Sequence, residues 1–219
     1  MTLTVITGAA RGIGLELCTQ LKARGDNVVA VCRKPTSALE KLGVRIEAGV
    51  DVADADAVAD LPKRLAGERI GLLINNAGIL NREGLDALDF ASIEKQFEVN
   101  ALGPLRVTAA LRRLLAPGAK VVIITSRMGS MGDNGSGGYY GYRMSKAAVN
   151  AAGVSLARDL KPQGVAVALI HPGMVNTEMT GHGIEPRESV EGILKRIEEL
   201  DTVNAGHFLH ATTGEQLPW

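Results

Sequence analysis

Short apolar runs recur along the chain, and most of them are continuous rather than alternating with polar positions. Continuous runs of this length are typical of strands that are buried on both faces of a parallel sheet. The pattern predicts seven strands, at residues 2–6, 27–32, 44–48, 71–74, 120–125, 165–170 and, more weakly, 206–209.

Longer segments with helical spacing separate these runs and predict helices at residues 12–24, 37–42, 54–65, 90–115, 139–160 and 186–200. Gly25 and Gly43 stand at helix-to-strand turns, and Pro117-Gly118 would end the long helix before the fifth strand. The alternation favours an α/β fold, a doubly wound (Rossmann) parallel sheet of about seven strands with helices on both faces. A length of 219 residues fits a single domain, residues 1–219.

Charge and hydropathy restrict the classes of partner. Lysine plus arginine and aspartate plus glutamate number 24 each, so no basic field would attract nucleic acid. No apolar stretch is long enough to cross a membrane, and no leader-like segment precedes the first strand. We therefore expect a soluble, cytoplasmic protein that handles a small molecule and binds neither nucleic acid nor membrane.

Neither the cysteines nor the histidines follow the spacing of a metal or disulfide site. Cys18 falls in a predicted helix and Cys32 in a predicted strand, which favours buried free thiols. The four histidines form no HxxxH pair or Cys/His cluster; they are His171, His182, His207 and His210. We expect no metal ion.

The sequence TGAARGIG at residues 7–14 follows the first strand and opens the first helix. Glycines there let the chain turn tightly, and the free N–H groups at the helix start attract a pyrophosphate. A strand-to-helix turn with incidental glycines is the alternative. The position between strand and helix favours a dinucleotide-binding loop.

The second strand ends in Val31-Cys32-Arg33-Lys34, where a site selective for NAD would carry an acid for the adenosine ribose. Arg33 and Arg11 instead offer guanidinium groups, which pair well with a 2′-phosphate. A solvated strand end would also explain Arg33 and Lys34. Beside the glycine loop, the pattern favours NADP(H).

Tyr142 and Lys146 lie four residues apart near the start of a predicted helix, on one helix face. A tyrosine that moves protons near neutral pH needs a positive charge close to its hydroxyl. Such a pair also occurs by chance on solvated helix faces. The remaining polar residues at strand ends favour chemistry, because they would line a cofactor crevice; they are Asn75-Asn76-Ala77-Gly78, Asn100, Ser126 and Pro172-Gly173.

Taken in order, these motifs resemble the short-chain dehydrogenase/reductase family along nearly the whole chain: TGAARGIG, Asp51-Val52, NNAG at 75–78, Asn100, Ser126, YRMSK at 142–146 and HPGMVNT at 171–177. SRMGS at 126–130, SGGYYGYRMSKAA at 136–148 and the ending at 206–219 look like the sniffer-like carbonyl reductases and C-factor-like proteins.

The resemblance implies a role for each matching residue. Tyr142 would be the general acid in reduction, and Ser126 would bind the carbonyl oxygen. Lys146 would hold the nicotinamide ribose and lower the pKa of Tyr142, and Asn100 would organise a water-linked proton path to Lys146. Cofactor contacts would come from Gly8, Gly12, Ile13 and Gly14 at the pyrophosphate, Asp51 and Val52 at the adenine, Asn76, Ala77 and Gly78 along the adenosine and ribose, and Pro172, Gly173, Val175 and Thr177 at the nicotinamide.

One spacing departs from the family. Ser126 stands 16 positions before Tyr142, farther than is usual, which implies an insertion in the glycine-rich loop. Ser130 is a weaker alternative to Ser126, and Tyr139 or Tyr140 could compete with Tyr142. Only Tyr142 has a lysine four residues later.

The leading hypothesis is thus an NADP(H)-dependent reductase for an aldehyde, ketone or quinone, with an open cleft because few residues separate Thr177 from the last helix. The alternative is a dinucleotide-binding sensor of C-factor type with little turnover. A sugar-nucleotide dehydratase or epimerase would need a larger C-terminal region. A homodimer, or a tetramer, through the two long helices is also expected, although burial against the sheet would explain the same small residues.

Overall fold

The computed structural model describes residues 2–219. Its strands form one parallel sheet in the order β3-β2-β1-β4-β5-β6-β7. They are β1 (Leu3–Thr7), β2 (Asn27–Val31), β3 (Arg45–Glu47), β4 (Ile70–Asn75), β5 (Leu115–Ile124), β6 (Ala166–His171) and β7 (Phe208–His210). The predicted doubly wound fold is confirmed.

Helices connect the strands on both faces. They are α1 (Gly12–Ala23), α2 (Ser37–Leu42), α3 (Ala55–Arg64), α4 (Phe90–Phe97), α5 (Gly103–Leu111), α6 (Tyr140–Leu160) and α7 (Pro186–Glu199). Within residues 2–219, no helix combines the length and apolar character that crossing a bilayer requires.

The continuous apolar runs divide between two cores. Side chains of successive strand residues point to opposite faces, so Leu73 belongs to one buried cluster and Ile74 to the other. The first cluster includes side chains from α3, α5 and α6, and the second includes side chains from α1, α2 and α7. A strand with apolar residues at every position is stable here because helices cover both faces.

Local capping fixes where several helices begin. Thr36 accepts a hydrogen bond from the Leu39 N–H, and Asp54 accepts from the N–H groups of the first turn of α3. Asp89 caps α4 by accepting from the Ser92 N–H. These polar residues stop the strand-to-helix connections at the predicted positions.

The predicted long helix at residues 90–115 is wrong in one respect. The chain forms α4 and α5 with a π-helical turn between them, Glu98–Leu102, and a short 3₁₀ turn, Arg112–Leu114, at the end. Pro104 contributes to the break, because it has no N–H to donate to the carbonyl of Asn100, the acceptor four residues earlier in an α-helix. Helical periodicity does not reveal such a turn, since its apolar spacing stays close to that of an α-helix.

The role predicted for Pro117-Gly118 also needs correction. Both residues lie within β5 rather than before it. Leu115 pairs with Ile70, and regular pairing with β4 resumes only at Lys120, so the strand carries an irregularity between the two. Pro and Gly are tolerated at such a break because the ladder there lacks regular hydrogen bonds.

Cys18 and Cys32 are both buried free thiols, as predicted, although Cys32 lies just beyond the end of β2. Burial raises the pKa of Cys18 to about 12, which leaves its thiol protonated at neutral pH. Neither thiol therefore has the low pKa of a reactive cysteine.

We predict that Leu73→Ala lowers the free energy of unfolding by about 2–5 kcal/mol, because it opens a cavity in the first core. Leu73 is 0% exposed at the centre of the sheet. Leu85→Ala is the matched control, since Leu85 is 70% exposed and should change stability by less than about 0.5 kcal/mol. Urea unfolding measures both variants; equal effects would contradict the assignment of the core.

Candidate active site

The topology creates a crevice at the carboxyl ends of β1 and β4. The sheet extends from β1 through β2 to β3 in one direction and from β4 through β5 and β6 in the other. Connections therefore leave these two strands toward opposite faces, and the space between them is where doubly wound folds bind ligands.

The glycine loop after β1 packs closely against the neighbouring loops. Gly8 and Gly12 have φ angles of +65° and +54°, which side-chain-bearing residues rarely adopt. A Cβ at Gly8 would lie 2.7 Å from the Cα of Ala77, and one at Gly12 would lie 3.3 Å from Cγ2 of Thr177. A Cβ at Gly14 would lie 2.6 Å from Nδ2 of Asn76. Close packing, and at Gly8 and Gly12 also the positive φ angle, therefore favours glycine at all three positions.

The start of α1 is open to a ligand. Arg11 occupies the N-cap position, and no side chain caps the helix. The first N–H groups of a helix, here those of Gly12, Ile13 and Gly14, have no intrahelical acceptor. Together with the helix dipole they make a cradle suited to an anion such as a pyrophosphate.

The two arginines predicted to bind a 2′-phosphate have different surroundings. Nη1 of Arg11 lies 2.6 Å from Oε2 of Glu178, in an ion pair whose side chains are both largely exposed. Arg33 is exposed beyond β2, and no hydrogen bond or ion pair of its guanidinium occurs within residues 2–219. The Thr36 hydroxyl donates to the Ala10 carbonyl at 2.7 Å, which ties this segment to the glycine loop.

Asp51 and Val52 follow β3 and lie beside the end of β2, because the Val50 N–H donates to the Cys32 carbonyl at 3.1 Å. Oδ1 of Asp51 accepts from the Ala53 N–H at 2.9 Å. Val52 is buried against α5. The structure thus places both residues at the same side of the crevice as Arg33.

The NNAG segment joins β4 to β1. Nδ2 of Asn76 donates to the carbonyls of Thr7 and Gly8 at 3.0 and 3.2 Å, and the Thr7 hydroxyl accepts from the N–H groups of Asn76 and Ala77. A Cβ at Gly78 would lie 3.7 Å from Nζ of Lys146. This segment therefore fixes the floor of the crevice between the glycine loop and Lys146.

Ser126, Tyr142 and Lys146 meet where β5 ends and α6 begins. All three are buried, with exposures of 7%, 8% and 5%. Nζ of Lys146 lies 5.7 Å from the ring centroid of Tyr142 and donates to the Ile124 carbonyl at 3.0 Å. The cluster brings a hydroxyl, a phenol and an ammonium group to one edge of the sheet.

Burial controls the ionisation of this cluster. It raises the pKa of Tyr142 above its usual value, and the neighbouring Ser126 hydroxyl acts in the opposite direction. It lowers the pKa of Lys146 to about 8. Desolvation is the larger of these two influences on the phenol of Tyr142. The lowering of this pKa by Lys146, which the family resemblance implied, stays a prediction.

Asn100 is fully buried in the π-helical turn between α4 and α5. Its side chain accepts from the Ile79 N–H and donates to the Ile79 carbonyl, each at 2.8 Å, and donates to Oγ of Ser145 at 3.0 Å. These bonds join the NNAG loop to α6. π-Helical turns are frequent at functional sites.

The segment after β6 forms the remaining wall. The Pro172 carbonyl accepts from the Ser189 hydroxyl at 2.7 Å, and Gly173 has a φ of +89°. Val175 is buried, and its carbonyl accepts from the Thr180 hydroxyl. Thr177 faces the glycine loop through its contact with the Gly12 position. The predicted nicotinamide-end residues thus share one wall.

The alternatives left by the sequence differ in their contacts. The Ser130 hydroxyl donates to the Trp219 carbonyl at 3.2 Å and accepts from the Asp133 N–H at 3.1 Å. Arg82 lies over the ring of Tyr139, 6.0 Å from its centroid. The geometry therefore favours Ser126 and Tyr142, which are close to each other.

The structure contains two features that the motifs did not indicate. Glu83 is a buried carboxylate next to the start of α6, and Glu178 pairs with Arg11. Neither glutamate belongs to a motif or stands at a fixed spacing from one, so only their three-dimensional contacts reveal them. No group of three or more metal-ligating side chains occurs within residues 2–219.

Comparison with known sequences identifies relatives over most of the chain. A family model described as short chain dehydrogenase matches residues 2–188. The chain is 40% identical over 227 aligned positions to 1-hydroxy-2-glutathionyl-2-methyl-3-butene dehydrogenase of Rhodococcus sp., with both chains covered completely. It is 43% identical over 155 positions to C-signal of Myxococcus xanthus, covering 68% of this chain and 93% of that protein.

Solved structures with the same fold cover the whole chain. The NADPH-bound carbonyl reductase from chicken fatty liver has a TM-score of 0.89 and 28% identity, and 98% of that chain is covered. The carbonyl reductase Sniffer of D. melanogaster has a TM-score of 0.90 and 29% identity, with 99% of that chain covered. The resemblance to sniffer-like and C-factor-like proteins is therefore confirmed.

His171 is the last residue of β6. Its ring meets that of His210 edge-on, with 5.0 Å between the ring centroids. Its Nδ1 atom is buried without a hydrogen-bond partner within residues 2–219. Burial lowers the pKa of His171 to about 3, and nearby His210, Arg127 and Lys146 act in the same direction. The folded protein therefore holds this imidazole neutral.

We predict that this histidine makes stability decrease with falling pH. Below about pH 6.5 the unfolded chain binds a proton that the folded chain refuses until about pH 3, so the free energy of unfolding falls through that window. His171→Gln should reduce the loss between pH 7 and about 4.5 by about 2–3 kcal/mol, since the window covers about two pH units below 6.5 at about 1.4 kcal/mol each. Urea unfolding at several pH values measures it; exposed His182 supplies the control, and an equal change in His182→Gln would contradict the assignment.

Proposed function

The chain belongs to the short-chain dehydrogenase/reductase family of oxidoreductases, and we propose that it transfers a hydride between NADP(H) and a carbonyl or alcohol substrate. The observation that carries the proposal is the buried cluster of Ser126, Tyr142 and Lys146 beside the crevice. Burial of a phenol and an ammonium group costs folding free energy, so a function for them is the economical explanation.

The residues around the crevice fit a dinucleotide. The open start of α1 suits the pyrophosphate, and Asp51 and Val52 suit the adenine. Asn76, Ala77 and Gly78 would line the adenosine and ribose, and the wall of Pro172, Gly173, Val175 and Thr177 would meet the nicotinamide. When bound, the nicotinamide supplies hydride chemistry that no side chain provides.

A free cation favours NADP(H) over NAD(H). Arg33 is exposed and unpaired within residues 2–219, beside the end of β2. Arg11 is paired with Glu178, but an exposed ion pair contributes only about 0–1 kcal/mol, so a phosphate would displace it easily. The carbonyl reductase of chicken fatty liver, with the same fold, binds NADPH.

In reduction, Tyr142 donates its proton to the carbonyl oxygen as the C=O double bond becomes a C–O single bond. Ser126 donates a hydrogen bond to the same oxygen and stabilises its developing negative charge. Lys146 offsets the charge left on the phenolate, and Asn100 holds the NNAG loop and α6 in register while supporting a water-linked path to Lys146. In oxidation each proton moves in reverse.

The pKa values of the free protein suit a proton donor. At neutral pH the raised pKa of Tyr142 keeps its proton in place, and Lys146, with a pKa of about 8, is still mostly charged. The ammonium group of Lys146 is then close enough to Tyr142 to stabilise the phenolate that forms when the proton is transferred. Reduction of an aldehyde, ketone or quinone near pH 7 is the reaction this arrangement favours.

The cleft has a short wall, which supports substrates of varied size. Only residues 178–185 separate Thr177 from α7. Met174 and Met179 in this region are 55% and 43% exposed, and methionine adapts to differently shaped apolar ligands. The Rhodococcus relative acts on a glutathione conjugate by its name, so the substrate panel should include a glutathionyl alcohol. A homodimer through α5 and α6 stays a prediction.

We predict that Tyr142→Phe lowers kcat for carbonyl reduction at least about 100-fold and leaves the Kd for NADPH within about threefold of wild type, because a general acid contributes about 10²–10⁴-fold. Fluorescence titration measures binding, and absorbance at 340 nm measures turnover on a panel of aldehydes, ketones and quinones. Tyr140→Phe, two positions earlier at the start of the same helix, is the control and should keep its activity.

The outcomes separate the hypotheses. NADPH binding without turnover on any substrate would favour the sensor of C-factor type, for which the similarity to C-signal is the supporting observation. Failure to bind either dinucleotide would reject both. Loss of activity in Tyr140→Phe equal to that in Tyr142→Phe would remove Tyr142 from its proposed role.

We predict that Arg33→Asp weakens NADPH binding by about 10–100-fold, because it replaces a charge-assisted phosphate contact of about 1.5–3 kcal/mol with repulsion. NADH binding should be kept or strengthened, because the new acid stands where an NAD-selective site carries one for the adenosine ribose. Titration with both dinucleotides gives the ratio of the two Kd values. Arg113→Asp at the opposite edge of the sheet is the matched control, since Arg113 precedes the amino end of β5. An unchanged ratio in Arg33→Asp would place the 2′-phosphate elsewhere.

A further inference from the structure

Glu83 is a buried carboxylate without a cation. It is 5% exposed, and no ion pair of Glu83 occurs within residues 2–219. A buried charge of this kind is costly unless hydrogen-bond donors surround it. Its partners therefore indicate what it does.

Three donors converge on this carboxylate. Oε1 accepts from the hydroxyl of Ser92, at 2.9 Å, and from the amide of Gln96, both on α4. Oε2 accepts from the backbone N–H of Gly141 at 3.3 Å. Gln96 is itself fully buried and accepts from the Asn81 N–H at 3.0 Å. Glu83 thus connects α4 to the first turn of α6.

The start of α6 lacks a cap of its own. Tyr139, the N-cap residue, has a φ of +53° and provides no side-chain hydrogen bond. Its N–H donates to the backbone carbonyl of Glu83 at 2.9 Å. Glu83 therefore receives one N–H through its carbonyl and another through its carboxylate, and its negative charge lies at the positive end of the helix dipole.

We propose that Glu83 is the positioning residue for Tyr142, which follows Gly141 directly in the chain. By accepting the Gly141 N–H it fixes the first turn of α6, and with it the phenol relative to Ser126 at the end of β5. Close packing reinforces this arrangement, because a Cβ at Gly141 would lie 3.0 Å from the Cα of Ile93. The proposal rests on the reductase function assigned to Tyr142 above.

The test uses a side-chain exchange. Glu83→Gln places an amide nitrogen against either the Gln96 amide or the Gly141 N–H, so two donors oppose each other. The double variant Glu83→Gln/Gln96→Glu removes the conflict: the amide of residue 83 donates to the new carboxylate, and its oxygen again accepts from Gly141. Glu94→Gln on the exposed face of α4 is the control.

We expect Glu83→Gln to lower kcat about tenfold and to change the KM for NADPH less than about threefold, because small misplacements of a reacting group reduce rates strongly. The double variant should return kcat to within about threefold of wild type. Thermal unfolding ensures that each variant is compared as folded protein. An unchanged kcat in Glu83→Gln, equal losses in kcat and NADPH affinity, or no recovery in the double variant would overturn the proposal.

Hydrogen exchange of the Gly141 amide in the free protein provides a readout without turnover. It should become about tenfold faster in Glu83→Gln and recover in the double variant, because the exchange of a backbone amide reports its local opening. A wild-type protein that reduces no carbonyl would reject the proposed function, and the amide exchange would still decide whether Glu83 holds α6. Unchanged exchange in Glu83→Gln would reject the proposal even if the enzyme is active.

Discussion

Burial of the parallel sheet on both faces is the constraint on which the site depends. Side chains such as those of Leu73 and Ile74 must be covered from opposite sides, so helices alternate between the faces and all strands end at the same edge. At the point where the chain changes direction, between β1 and β4, the loops diverge and leave a crevice. The glycine loop, the NNAG loop and the Ser126 turn face this crevice because each follows the carboxyl end of a parallel strand.

The same burial sets the ionisation of the site. Desolvation raises the pKa of Tyr142 and lowers those of Lys146 and His171, so each group is pushed toward its neutral form. For Lys146 the shift stops at about 8, which leaves the charge available at neutral pH. A phenol that holds its proton beside an ammonium group that holds its charge is the state from which the proposed carbonyl reduction would begin.

Periodic features of the fold could be predicted from the sequence, and features of single contacts could not. Apolar runs gave the seven strands because burial acts on every residue of a strand, and the order of motifs placed Tyr142 and Lys146 together because helical spacing is regular. The π-helical turn at Asn100 was missed, since its spacing differs little from that of an α-helix. Glu83 was missed because its partners, Gln96 and Gly141, are distant in sequence and follow no period.

The residues of the candidate site divide into those whose polar groups are already bonded and those whose groups are free. The side chains of Asn76 and Asn100 form hydrogen bonds with backbone groups of neighbouring loops and so fix the walls of the crevice. Arg33 and the first N–H groups of α1 have no such bonds within residues 2–219 and so can receive a ligand without breaking the fold. Lys146 belongs partly to each set, since within residues 2–219 its ammonium group donates only to the Ile124 carbonyl and keeps further N–H donors free. Rigid walls with free hydrogen-bond donors suit the proposed alignment of a hydride donor and a carbonyl, because the binding free energy is then used for orientation rather than for folding the site.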